Sequence, residues 1–261
     1  MSRVALITGG AQGIGAAIAA QFLRDGFAGV VLVDRNTDRL EQQAQALVKF
    51  GQVETLAADL RNDQTAQKAI DLCVGKFSRI DVLVNAAGNT ERCGIADTTP
   101  EAFHRLFDVN VKAPLQMMQQ ATKHMVAAKS GVIINVASML AHGGPPSIGT
   151  YAASKGALVT LSKNAANTFK RDGIRVFCIN LGWALTEGEH ALQTSFHGLP
   201  ENWHEDIAAR MPSGRLIAPE DVAGLCAFLV SPPAQMMNGV VIDFEQMPIG
   251  VYDVHPALKM D

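Results

Sequence analysis

Residues 3–8 (RVALIT) form a short, mostly apolar run with the composition of a buried strand. They lead without a spacer into Gly9, Gly10, Ala11, Gln12, Gly13, Ile14 and Gly15, and then into the apolar stretch 16–23. A strand, a glycine-rich turn and a helix in immediate succession leave few options for the fold. The chain must reverse tightly at the strand end, and glycine permits backbone angles that a Cβ would forbid. Backbone N–H groups then converge at the start of a helix, where the helix dipole favours negative charge, so the turn suits a pyrophosphate. The spacing is Gly-x-x-x-Gly-x-Gly, and its strand–helix context makes it a dinucleotide-binding pattern. A second apolar run, 29–34, ends in Asp34, nineteen residues after Gly15. An acid there is placed to take the ribose hydroxyls of an adenosine.

The rest of the chain repeats this alternation. Strands are expected near 3–8, 29–34, 52–57, 80–85, 131–137, 174–180 and 239–243, and helices near 13–25, 37–49, 62–77, 100–129, 150–172 and 219–230. Alternating strands and helices predict an α/β fold. The expectation is a single doubly wound, parallel, seven-stranded Rossmann-like sheet with helices on both faces. No linker, repeat or low-complexity tract divides the chain, so residues 1–261 read as one domain. With 48% hydrophobic residues it is long enough for a sizeable core. A formal charge of −3 supplies no basic field, which argues against nucleic acid or an anionic membrane as partner. No apolar run reaches a membrane-spanning length, and the expectation is an unprocessed cytoplasmic protein. Cys73, Cys93, Cys178 and Cys226 are scattered, the histidines lack ligand spacing, and no metal is expected.

The chemistry-bearing residues lie past the middle of the chain. Tyr151 and Lys155 are four apart on an expected helix, so they share one face. A phenol with a pKa of about 10 is a poor base near neutrality, and a fixed positive charge beside it favours the phenolate. Ser138, thirteen residues upstream at the end of an expected strand, is placed to hold a substrate oxygen. Together these groups can move a proton on or off an alcohol.

Taken in order, Thr8-Gly9-x-x-x-Gly13-Ile14-Gly15, Asp59-Leu60, Asn85-Ala86-Ala87-Gly88, Asn110, Ser138 and Tyr151-x-x-x-Lys155 resemble the short-chain dehydrogenase/reductases. The resemblance runs from Val4 to about Asp243. It implies Asn110, Ser138, Tyr151 and Lys155 as catalytic residues. For the cofactor it implies Gly9, Gln12, Gly13, Ile14, Gly15, Asp34, Arg35, Asp59, Leu60, Asn85, Ala86, Ala87 and Gly88, joined by Tyr151, Lys155, Gly182 and Thr186. It also implies a homotetramer. In this family the asparagine matching Asn110 holds a water in a proton relay to the lysine. Pro114 has no N–H to give the Asn110 carbonyl, so a helix kink with a freed acceptor is expected there.

Asp34 facing a ribose favours NAD, because its carboxylate would repel the extra phosphate of NADP; Arg35 offsets part of that repulsion. Two departures from the family pattern stand out. Leu181 replaces the proline usual after the sixth strand, and Asp243, Phe244, Glu245 and Gln246 replace the usual Asp-Gly-Gly. A lid is expected over about 184–214, and a tail over about 246–261 is expected to pack on a neighbouring subunit. The lid and nearby loops are rich in polar groups, which suits a small hydroxylated substrate such as a sugar or polyol. Candidate substrate residues are Ser138, His142, Tyr151, Trp183 and His190. Two alternatives stay open: a reductase of 3-oxoacyl or related carbonyl compounds, and a non-catalytic dinucleotide sensor.

Overall fold

A computed structural model of the chain describes residues 2–249. The expected packing of the tail, with Tyr252, His255 and Pro256, falls outside the described residues. Strands β1 (Val4–Thr8), β2 (Gly29–Asp34), β3 (Gln52–Ala57), β4 (Val82–Asn85), β5 (Gly131–Val136), β6 (Ile174–Leu181) and β7 (Val241–Phe244) form one sheet. Their order is β3-β2-β1-β4-β5-β6-β7, and every pairing is parallel.

A parallel sheet needs cover on both faces, and alternate residues of each inner strand serve two cores. Ala5, Ile7, Val82 and Val84 face one side. There they meet α1 (Gly13–Arg24), α2 (Thr37–Leu47) and α9 (Pro219–Leu229) through residues such as Phe22, Leu40 and Cys226. Val4, Leu6 and Leu83 face the other side and meet α3 (Thr65–Phe77), α5 (Ala113–Ala128) and α6 (Gly149–Phe169) through Ile70, Met117 and Ala166. Burial on both faces explains why these strands read as continuous apolar runs rather than alternating ones.

Strand order reverses between β1 and β4, where Thr8 pairs with Asn85. A crevice opens beyond the carboxyl ends of the two strands at that point. The glycine turn fills its base. Gly9 has φ +71°, and a Cβ there would lie 2.9 Å from the Ala87 Cα. A Cβ on Gly15 would lie 2.2 Å from the Gly9 carbonyl oxygen. Thr8 Oγ1 accepts the Ala87 N–H at 3.2 Å, which ties the two strand ends together.

Two stretches differ from the sequence expectation. The helix expected over 100–129 is three pieces: α4 (Pro100–Phe107), a π-helical turn (Asp108–Lys112), and α5. The lid region, expected only as a polar segment, holds α7 (Glu187–Ala191), a π-helical turn (Leu192–Phe196) and α8 (Trp203–Ala208). Among the described residues, no helix is long and apolar enough to cross a membrane.

The close approach at the turn generates a prediction. Gly15→Ala pushes a methyl group into backbone, and overpacking of this kind costs about 1–3 kcal/mol. Gly75, inside α3, has nothing within 4 Å of its missing Cβ. Gly75→Ala is therefore expected to stabilise by roughly 0.5–1 kcal/mol, as for an exposed helical glycine. Urea unfolding of the two variants should move in opposite directions; equal effects would contradict the packing account.

Candidate active site

A cleft of about 1340 Å³ opens over the β1–β4 crevice and runs from Asp34 at one end to Trp183 and the lid at the other. Gln12 stands at the N-cap of α1 without a side-chain cap, and the first turn carries no acidic residue. The leading N–H groups of that helix therefore meet no competing carboxylate of its own. Gly13, at φ +54°, lies against Thr186, where a Cβ would come within 3.3 Å of the threonine side chain. Glycine at 9, 13 and 15 keeps the turn narrow, and the resulting cradle fits a dinucleotide pyrophosphate.

Asp34 at the end of β2 is fixed from two directions. Its Oδ2 accepts the Ala11 N–H at 3.3 Å and its Oδ1 the Asn36 N–H at 3.1 Å. Arg35 beside it is exposed. Asp59 also lines the cleft, but Arg61 grips its carboxylate through Nε at 2.9 Å and Nη2 at 2.6 Å. That hydrogen bond holds the Asp59 carboxyl below the usual carboxylate range.

Leu60, Ala86, Ala87, Gly88, Gly182 and Thr186 all reach the cleft wall, as do Gly9, Gln12, Gly13, Ile14 and Gly15. Asn85 does not. It is buried beneath the wall and donates to Asn135 Oδ1 at 2.7 Å, while Asn135 donates to Ser162 Oγ at 2.9 Å. Those bonds tie β4, β5 and α6 together, so Asn85 organises the floor of the cleft rather than its surface.

The proton-transfer residues meet at the centre. Ser138 follows β5, and its Oγ accepts the Leu140 N–H at 3.2 Å, which starts a short 3₁₀ turn. Tyr151 and Lys155 project from α6 into the same cleft, and both are buried. Ser138 lies close enough to the Tyr151 phenol to favour its ionised form. Lys155 Nζ donates to the Val136 carbonyl at 2.9 Å and lies 5.8 Å from the Tyr151 ring centre.

Here the electrostatics depart from the sequence expectation. Burial pushes the Tyr151 phenol above its usual value, against the lowering contributions of Ser138 and then Arg92. Lys155 does not supply the lowering charge. Burial pulls its own ammonium down to about 8. Desolvation penalises each charged form, and in the free protein it outweighs the attraction expected between phenolate and ammonium.

Asn110 sits in the π turn with its side chain completely enclosed. Nδ2 donates to the Asn89 carbonyl at 2.9 Å and to Ser154 Oγ at 3.0 Å, while Oδ1 accepts the Asn89 N–H at 2.8 Å. The expected kink is thus a π turn, closed by the Ala113 N–H on the Asp108 carbonyl. With five-residue spacing, Pro114 deprives Val109 as well as Asn110 of a donor. Asn110 does not line the cleft; it holds the loop that does.

At the lid end, Trp183 lines the cleft, stacks on Trp203 at 5.6 Å and donates to Glu189 Oε1 at 2.9 Å. The two candidate histidines are turned elsewhere. His142 pairs with Asp243 at 3.0 Å, and His190 pairs with Glu201 at 2.8 Å; neither reaches the wall. Each ring found a carboxylate at the surface, which sequence spacing does not reveal.

The wall instead includes Arg92, Gln193, His197 and Glu245. In sequence Arg92 and His197 are two of the many polar residues of the loop after Gly88 and the lid, with no pattern to mark them. Glu245 belongs to the atypical segment after β7, where its carboxylate lies over Gly182. Its neighbour Gln246 accepts from the Ser213 N–H at 3.0 Å and donates to the Arg215 carbonyl at 2.8 Å, which fastens the end of the lid.

Lys155 carries a measurable consequence. The folded chain releases its proton at about 8, and an exposed lysine releases it at 10.5. Between those values the unfolded chain binds the extra proton, so this group makes stability rise with pH across that window. Buried Cys73, Cys178 and Cys226 hold their thiol protons when folded and pull stability down over the same range, so the readout is the difference between variants. The gap in unfolding midpoint between the coenzyme-free wild type and Lys155→Met should move in the wild type's favour as pH rises from about 8 to 10.5. Parallel curves would contradict a depressed lysine.

Residues 9–245 match the family model described as enoyl-(acyl carrier protein) reductase. A sorbitol dehydrogenase from Cereibacter sphaeroides is 34% identical over 89% of this chain and 91% of its own. The structure of an NAD+-bound xylitol dehydrogenase superposes with a TM-score of 0.85 at 25% identity, covering 94% of this chain and 98% of that one. L-sorbose reductase from Gluconobacter frateurii, complexed with NADPH and L-sorbose, superposes at 0.88 with 29% identity, covering 96% and 98%. With its parallel seven-stranded sheet and its glycine turn and Ser–Tyr–Lys cluster sharing one cleft, the chain belongs to the short-chain dehydrogenase/reductase family, oxidoreductases that act on alcohols and carbonyls with a dinucleotide coenzyme.

Proposed function

We propose that this protein is an NAD-dependent dehydrogenase of a secondary alcohol on a small polar substrate, a sugar or polyol. The observation that carries the reading is the content of one cleft: a doubly anchored Asp34 at one end and the Ser138–Tyr151–Lys155 cluster at its centre. The sorbitol dehydrogenase, xylitol dehydrogenase and sorbose reductase resemblances support the substrate class.

The nicotinamide of the bound coenzyme supplies the hydride acceptor. The chain's own residues handle the oxygen. Ser138 donates a hydrogen bond to the substrate hydroxyl oxygen, and Tyr151 Oη, once ionised, takes the hydroxyl proton as the C–H hydride leaves. Oxidation then yields a ketone, reduced coenzyme and one proton. Lys155, beside the cleft with its ammonium on the Val136 carbonyl, would hold the nicotinamide ribose. Asn110 acts by positioning: it fixes Asn89, and with it the loop after Gly88, where a Cβ would lie 3.4 Å from Lys155 Nζ.

Asp34 selects the coenzyme. Two unit charges about 4 Å apart interact by about 4 kcal/mol at an effective dielectric of about 20. The Asp34 carboxylate is held in place by backbone donors, whereas exposed Arg35 is free to rotate into water. Repulsion of a 2′-phosphate therefore outweighs attraction by Arg35. We also infer a cytoplasmic homotetramer. The four cysteines are buried and unpaired, and Phe103, Leu115, Phe228 and Met236 leave apolar surface exposed around α4, α5 and α9.

The reading is tested by coenzyme reduction across sugars, polyols, hydroxy acids and hydroxyacyl thioesters. NAD should exceed NADP in kcat/KM by about tenfold or more, a difference of about 1.4 kcal/mol. Asp34→Ser should narrow that ratio. A higher efficiency with NADP in the wild type would overturn the NAD assignment.

A further inference from the structure

The charges at the substrate end of the cleft are unequally satisfied. Glu91 is gripped through both carboxylate oxygens by Arg105, with Nε at 3.0 Å and Nη2 at 2.6 Å. Glu189 Oε1 receives both the Trp183 Nε1–H at 2.9 Å and a Gln193 Nε2–H at 2.8 Å. Arg92 sits on the same wall, is half-buried, and has no hydrogen bond or ion pair among the described residues. It is near enough to Tyr151 to pull the phenol's ionisation down. A guanidinium on a cleft wall with no protein partner can engage a ligand, and its planar fork fits a carboxylate with two parallel hydrogen bonds.

The rest of the wall narrows the choice of anion. Met139, Leu140, Pro145 and Ile148 add apolar surface there, so the cleft is less uniformly polar than the lid sequence implies. Arg105 is already committed to Glu91, which leaves the Arg92 guanidinium without a hydrogen-bonded partner at this end among the described residues. A single guanidinium on a wall that also carries the Glu189 and Glu245 carboxylates matches a monoanion better than a phosphate ester carrying close to two charges.

We propose that Arg92 binds a carboxylate on the substrate, so that the alcohol oxidised is a hydroxy acid, polyhydroxylated or simple. This rests on the dehydrogenase reading of the cleft and narrows its small polar substrate from a neutral sugar or polyol to an acid. Arg92 thereby sets specificity: it orients the carbinol toward Tyr151 from the far side of the molecule, and neutral polyols lack the group it needs.

The test compares matched pairs, gluconate with sorbitol and lactate with isopropanol, by steady-state kinetics and by calorimetric binding to the NADH-loaded protein. The acid of at least one pair should show the higher kcat/KM. Arg92→Gln should weaken its binding and raise its KM by about 10- to 100-fold, the size of a lost charged hydrogen bond. The effect on the neutral partner should be smaller, and Arg92→Lys should recover part of the loss. If neutral alcohols are turned over as well as acids and Arg92→Gln affects both alike, the carboxylate proposal is overturned and the dehydrogenase reading stands. If Arg92→Gln weakens NADH binding instead, the guanidinium serves the coenzyme, which also overturns it. Absence of any Tyr151-dependent turnover or carboxylate binding would remove both readings together.

Discussion

The closest backbone approach in the crevice governs what the rest of the site can be. Gly9 turns at φ +71° against Ala87, and Gly15 packs on the Gly9 carbonyl. No side chain fits between them. This contact fixes the start of α1 against the end of β4, and the loop after β4 then reaches Gly88 and Lys155. A coenzyme cradle at one end and an acid–base group at the other are thus set by the same few ångströms of backbone. Polar bonds beneath the surface maintain the spacing: Asn85 to Asn135 to Ser162 under the floor, and Asn110 to Asn89 behind the loop. Asn85, Asn135 and Asn110 do not reach the cleft wall themselves and act through what they hold.

Much of this was legible in the sequence, for physical reasons. Doubly buried strands leave continuous apolar runs such as 29–34, and glycines at 9, 13 and 15 mark a turn that only glycine can make. The positions of Ser138, Tyr151 and Lys155 follow from strand ends and helical spacing, and they converge as expected. What escaped was set by tertiary partners. The rings of His142 and His190 are taken by Asp243, 101 residues away, and by Glu201 across the lid, and neither pairing has a sequence signature. The π turn at Asp108–Lys112 hides inside a run that reads as one helix, with Pro114 its only local trace. In sequence Arg92 is one polar residue among several in a loop, and its distinction is the absence of a partner among the described residues, which no pattern of residues displays.

Burial also reverses a simple expectation about charge. The spacing of Tyr151 and Lys155 suggests a phenolate stabilised by a neighbouring ammonium. In the free protein both groups are enclosed, the phenol is raised and the ammonium is lowered to about 8. At neutral pH the ammonium of this pair is still mostly charged and the phenol neutral, and an added positive charge beside the phenol shifts it toward phenolate. A nicotinamide in its oxidised form carries such a charge. The two departures near the C-terminus fit the same picture. Leu181 lets β6 continue in register to Phe244, and Gln246 fastens the lid end that closes over this cluster.

The central claim is that Tyr151 ionises to accept the substrate proton. Its most direct test is the pH dependence of alcohol oxidation in the wild type and in Tyr151→Phe, with reduced-coenzyme binding measured alongside. The account predicts a wild-type rate that climbs with pH to a plateau. It predicts a loss of about 10²- to 10⁴-fold in the phenylalanine variant, as expected when a positioned acid–base group is removed, with coenzyme affinity preserved. A flat wild-type profile, or turnover that survives the loss of the phenol, would contradict it.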